Sequence, residues 1–124
     1  MDADGVVASV LELVAIEEAR ALMALPGAAP WSAGELVFAR SKSDPERRLA
    51  ARLAAKRGAV RLLGGGCDES DFEIERAAGR PPELRSSARA RERLLALGAD
   101  RFLVSLTHGR EHAAASVLLV SARR

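Results

Sequence analysis

His108 and His112 close the alternating segment Val104–His112, VSLTHGREH, and Ser105 stands three residues before the first of them. Imidazoles four residues apart suit a metal when they ride on a helix. This run alternates instead and carries Gly109, so it reads as a hairpin turn, and no third ligand lies near it. Zinc is disfavoured. Ser105 and His108 are the residue types of a nucleophile and its base, but no acid to orient the histidine and no oxyanion loop can be found. The other chemistry-bearing stretch is Leu49–Leu63, LAARLAAKRGAVRLL. Here Arg48, Arg52 and Lys56 recur every fourth residue and share one helical face. Such a row is ordinarily solvated surface. Set beside a hydroxyl, a histidine and the Gly79-Arg80-Pro81 turn, it suits a phosphate-bearing ligand or an acidic protein partner.

The elements that must position these groups follow from periodicity and punctuation. Gly5–Leu13, GVVASVLEL, suits a buried strand, with helix the alternative on so short a run. Ala15–Leu25 is helical until Pro26-Gly27. Ser32 with Glu35 has capping-box spacing, and Trp31 stands where an apolar residue staples a first turn. Asp44-Pro45 opens the long helix as cap and first-turn proline, and Gly64-Gly65-Gly66 ends it without the spacing or lysine of a phosphate loop. Inside that helix Gly58 costs about 1 kcal/mol against alanine, which signals a close neighbour. Phe72–Arg76 reads as a strand, followed by a turn over Gly79–Pro82. A helix capped by Ser86 or Ser87 then runs to Leu97, and Arg101–Thr107 and Ala113–Val120 form an antiparallel hairpin. The leading cations of the long helix leave Leu49, Leu53 and Val60 as its apolar face. The expected architecture is a single α+β domain over residues 1–124, an antiparallel sheet packed on the long helix.

Composition bounds the function classes. Of the 124 residues, 48% are hydrophobic and 29% charged, as in an ordinary globular domain. With 19 basic against 17 acidic residues the net charge is only +2, and aromatics make up 3%. That excess is too small to imply nucleic acid, and stacking rings are scarce. Cys67 is alone and follows three glycines, a loop position rather than a nucleophile. No apolar run approaches the roughly 20 residues that span a bilayer, and the Met-Asp-Ala-Asp start lacks the basic flank of a secretory signal. A reduced, cytoplasmic setting without membrane or nucleic-acid partners is expected.

Leu49–Gly64, the Gly79-Arg80-Pro81 turn and Val104–His108 stand in the order and spacing of holo-acyl-carrier-protein synthases, the small phosphopantetheinyl transferases. Trp31-Ser32-Ala33-Gly34-Glu35 resembles that family's Phe-Thr-x-x-Glu helix start, and Gly5–Leu13 its opening strand. The likeness implies the family's fold and transfer of 4′-phosphopantetheine from coenzyme A to a carrier-protein serine. It also implies use of Mg²⁺ and a trimer with active sites between subunits. By the same likeness Ser105, His108, Gly79 and Pro81 border the coenzyme A pocket. Lys56 resembles the lysine beside the pyrophosphate, the residue that would serve catalysis in an active enzyme. A direct role for Arg48 and Arg52 is our own reading of the helix face.

The departures from the family pattern fall on the metal site. Ser9 stands where the opening strand carries a metal-binding aspartate, Arg57 where the helix carries the second carboxylate, and Ala15 where a basic residue meets the carrier protein. A hydroxyl is a weak Mg²⁺ ligand and a guanidinium is none. The leading expectation is a degenerate member, a pseudoenzyme of fatty acid or polyketide biosynthesis. It would bind coenzyme A, an acyl carrier protein or a biosynthetic enzyme without normal Mg²⁺-dependent transfer. The alternative is a working transferase in which Arg57 partly replaces the metal, and a third reading is a cationic interaction module without coenzyme A. On the first, Ser9→Asp and Arg57→Glu together should restore an Mg²⁺ site that neither change restores alone.

Overall fold

The long helix α3 (Pro45–Leu63) is buried on nearly all sides rather than along one stripe: Leu49, Leu53, Ala50, Ala54, Ala55 and Ala59 are all fully enclosed. Its alanines let neighbouring elements come close, so the helix forms the centre of the molecule. The computed structural model describes residues 5–27 and 30–122. Before α3 come β1 (Gly5–Ala15), α1 (Ile16–Met23) and α2 (Ala33–Arg40). After it come a 3₁₀ turn (Glu69–Asp71), β2 (Phe72–Glu75), β3 (Glu83–Ser86), α4 (Ala88–Ala96), β4 (Arg101–His108) and β5 (His112–Ser121).

Strands β1, β5 and β4 make an antiparallel sheet in that order, and β2 and β3 a separate antiparallel pair. On β5, Ala113, Ala115, Val117 and Leu119 are buried, the period-two pattern of a strand with one face on the core. Gly58 of α3 sits where the helix meets this face: a Cβ there would lie 3.1 Å from both Val10 Cγ1 and Val117 Cγ2 and 3.7 Å from Glu12 Cβ. Val10 and Glu12 therefore face α3. By alternation Ser9, Leu11 and Leu13 face away. Across the register Leu11 is matched by Ser116 and then Ser105.

The local signals act where the residues placed them. Ser32 and Glu35 form a complete capping box. Gly64 ends α3 in the left-handed conformation. Trp31 is buried, with its indole N–H donating to the Leu49 carbonyl at 2.9 Å. The hairpin forms with His108 opposite Ala113. Five expectations are corrected. Strand β1 is half-exposed rather than buried, because only one of its faces meets α3, and Leu11 and Leu13 are 66% and 61% exposed. Strand β1 runs on to Ala15 because β5 pairs with it that far, so α1 starts at Ile16 and ends at Met23. Asp44 occupies the N-cap position but makes no cap, because its carboxylate accepts from the Arg48 side chain at 3.0 Å instead. Strand β3 went unanticipated between the Pro81-Pro82 turn and Ser87, whose hydroxyl caps α4. The row of cations on α3 is not a solvated face: Arg52 is 3% exposed and Lys56 not exposed at all.

Candidate functional site

Lys56 ends in a closed polar cage. Its Nζ donates to Glu35 Oε1 at 2.5 Å and to the Pro30 carbonyl at 2.9 Å, and Glu35 is itself buried. Glu35 also accepts from the backbone N–H groups of Ser32 and Ile74, at 2.9 and 2.7 Å. The capping-box glutamate thus holds α2, α3 and β2 together, a role no local spacing announces. Burial pushes the Lys56 ammonium below its ordinary pKa, with the Glu35 carboxylate opposing that shift. Within one chain Lys56 faces this cage and lines no open cleft.

The open cationic surface is one turn nearer the start of α3. Arg52 stacks on the Phe38 ring, 4.3 Å from its centroid, and its Nε is buried without a hydrogen-bond partner. Burial lowers the guanidinium's pKa, Glu35 raises it, and the like charges of Arg76 and Arg48 lower it further. These arginines line a cavity of about 320 Å³ with Phe38, Thr107 and His108. His108 Nε2 is 3.8 Å from Asp44 Oδ2, and Arg48 holds that carboxylate below its usual range. A second, more open cleft of about 690 Å³ shares Phe38, Arg48 and Arg76 and continues past Lys42 to Gly79, Arg80 and Pro81. Gly79 has a positive φ in the left-handed region, so the turn at this rim needs a residue without Cβ.

The structure therefore brings His108, Gly79, Pro81, Arg48 and Arg52 around two adjoining clefts. It sets Ser105 apart: Ser105 lies on the outward sheet face with Ser116 and Leu11, whereas His108 is paired with the core-facing Ala113. Arg76, Phe38 and Lys42 were not singled out from the sequence. Their neighbourhood depends on β2 ending beside α2, and nothing in their spacing signals it.

Two arginines and three carboxylates occupy the helix flank where the resemblance would put a metal. Arg57 Nη2 lies 2.6 Å from Glu18 Oε2 on α1, and its Nε 3.9 Å from Glu69 Oε2. Arg61 Nη1 binds Glu12 Oε1 at 2.5 Å. Ser9 is on the opposite side of β1 from Glu12 and so is not gathered with Arg57 in one chain. Among the described residues no group of three His, Cys, Asp or Glu side chains is placed to hold a metal ion. The carboxylates of this flank are held by guanidinium groups, a setting that does not suit a divalent cation.

No model of a protein family matches the chain. A curated relative from Nitratidesulfovibrio vulgaris strain Hildenborough, holo-[acyl-carrier-protein] synthase, is 45% identical over 83 residues, covering 64% of this chain and 67% of the relative. Among solved structures, the Mycobacterium tuberculosis acyl carrier protein synthase is 26% identical with a TM-score of 0.69, covering 95% of this chain and 99% of the other. The Helicobacter pylori holo-[acyl-carrier-protein] synthase, solved in complex with coenzyme A, has the same fold at 17% identity and a TM-score of 0.69, covering 90% and 99%.

Proposed function

The chain belongs to the holo-[acyl-carrier-protein] synthase family, and from that premise we propose that it binds coenzyme A in the cationic clefts beside α3 without carrying out normal Mg²⁺-dependent transfer. The observation that carries this reading is Arg52. Its guanidinium is buried with an unpartnered Nε; the opposing charge of Glu35 is already paired with Lys56, and Arg76 and Arg48 crowd it. Such a group is poorly balanced unless an anion joins it. Coenzyme A carries a 3′-phosphate and a pyrophosphate, and charge-assisted bonds from arginine suit both. Arg48, Arg52, Arg76 and His108 would hold phosphate oxygens, Phe38 would offer an apolar wall, and the Gly79–Pro81 turn would bound the ligand. The coenzyme A complex of the H. pylori structure supports this class of ligand. Lys56 in this reading is a positioning residue that secures α2, not a phosphate contact.

An acyl carrier protein or another biosynthetic protein is the partner this family membership favours. Loss of transfer is proposed from chemistry: the Arg57 guanidinium provides no oxygen ligand for the ion that would activate the attacking hydroxyl, and Ser9 carries only a weak one on the other face of β1. The names of relatives up to 45% identical favour a second reading, a working transferase in which the Arg57 guanidinium stabilises pyrophosphate charge. Mass spectrometry of an apo carrier protein incubated with the chain, coenzyme A and Mg²⁺ separates the two. No mass gain, together with calorimetric coenzyme A binding that weakens as salt rises, is expected. A gain of the phosphopantetheine mass establishes the second reading. No binding at millimolar coenzyme A rejects both.

A further inference from the structure

The flank of α3 around Arg57 gathers acids from three elements: Glu12 from β1, Glu18 from α1 and Glu69 from the 3₁₀ turn. Arg57 contacts the latter two, and Glu12 contributes to its field while bound to Arg61. Arg61 is four residues on along the helix and so shares the face of Arg57. The hydrogen bond to Glu18 raises the Arg57 pKa, and the same bond lowers that of Glu18, so both stay charged through the neutral range. We infer that Arg57 is the resident cation of this flank and keeps out the divalent metal that family membership implies.

The physical reason is competition for the same oxygens. Mg²⁺ takes near-octahedral oxygen ligands at about 2.0–2.1 Å. To reach Glu18 it must break a charge-assisted bond and then remain beside a permanent positive charge that cannot deprotonate. Arg57 is tied to two elements at once, so it does not simply swing aside. Ser9 adds no oxygen here, because it projects from the other face of β1. Residue 57 alone decides the matter. Arg57→Glu should suffice to admit a cation, and Ser9→Asp should contribute nothing in a single chain.

The test uses Mn²⁺ as a spectroscopic probe for Mg²⁺, titrated into the full chain with and without coenzyme A and read by electron paramagnetic resonance. The unmodified chain should leave Mn²⁺ free to millimolar concentration, and Arg57→Glu should bind it at least tenfold more tightly. The coenzyme A affinity of the unmodified chain should be the same in Mg²⁺ and in chelator. Circular dichroism checks that the variant folds, and Arg57→Gln, which frees the acids without adding one, replaces it if it does not. Mn²⁺ binding to the unmodified chain that Glu18→Gln weakens overturns the inference. So does an Arg57→Glu or Arg57→Gln chain that is folded but no better than the original, or coenzyme A binding that requires Mg²⁺. The titration without coenzyme A does not depend on ligand binding, so a chain that ignores both coenzyme A and Mn²⁺ overturns the proposed function and leaves this inference standing.

Discussion

Replacing Lys56 by methionine would leave the Glu35 carboxylate buried against the Ser32 and Ile74 N–H groups without its counter-charge. Breaking one side of a buried ion pair costs about 3–5 kcal/mol, and urea denaturation of Lys56→Met should show a loss of that order. Glu35→Gln in the same chain should recover only part, since the amide cannot accept from both the Ser32 and Ile74 N–H groups as the carboxylate does. Any loss of function in a Lys56 variant therefore reports on the fold as well as on chemistry. Arg52 should behave in the opposite sense. Its charge is buried, crowded by Arg48 and Arg76, and short of one partner. Arg52→Met should keep the unliganded chain as stable as before, yet weaken coenzyme A binding at least tenfold by calorimetry. A large fall in stability with unchanged affinity would make Arg52 a structural residue and remove the basis of the cleft.

Among the elements, the 3₁₀ turn is fastened to the junction of β3 and α4 through Asp71. Its carboxylate accepts from the Ser87 hydroxyl at 2.5 Å and from Arg89 Nη2 at 2.8 Å, while Ser87 N–H donates to the Asp71 carbonyl at 2.8 Å. These bonds, the Arg89 one foremost, hold the carboxyl well below the usual carboxylate range. The folded pKa is lower than the unfolded value of about 3.9, so the stability Asp71 contributes is complete above that value and is lost as pH falls toward the folded one. Asp71→Asn should lower the urea midpoint at pH 7 and flatten its fall below about pH 4. Equal acid sensitivity in the two chains would place the titrating group elsewhere. On α3, Gly58→Ala sets a helix-propensity gain of about 1 kcal/mol against overpacking that costs about 1–3 kcal/mol. Val117 is fully buried at 3.1 Å, so the balance should be a net loss, visible as a lower midpoint.

The whole chain leaves one sheet face open. Leu11 and Leu13 are 66% and 61% exposed, and Leu103 on β4 is 48% exposed. They share the face turned away from α3, where Ser9 is opposite Leu118 and Leu118 opposite Leu103. An apolar face of this kind favours self-association. We expect a homo-oligomer, a trimer by family likeness, closed over this face. Light scattering at micromolar concentration should give three times the 13.2 kDa chain mass, and Leu11→Lys should yield monomer. A monomeric unmodified chain would sink the expectation. No helix among the described residues is long and apolar enough to cross a membrane.

What one chain's residue order could settle was what neighbouring residues settle among themselves. The capping box at Ser32–Glu35, the proline start and glycine stop of α3, and the hairpin at His108–His112 all come from interactions within a few positions. The family likeness rested on such pieces in order, and a relative at 45% identity bears it out. Tertiary structure decided the rest. A four-residue repeat says that Arg48, Arg52 and Lys56 share a face, but not what covers it; α2 and the strands cover it, so Lys56 became a buried ion pair and Arg52 a cleft wall. Strand β3 has only four residues and exists because β2 pairs with it. Sheet parity turned Ser105 away from His108, and Ser9 away from Arg57, the group with which the family likeness had associated it. Arg57 met Glu18 across 39 residues of chain, because only the packing of α1 on α3 brings opposite charges so distant in sequence within bonding distance.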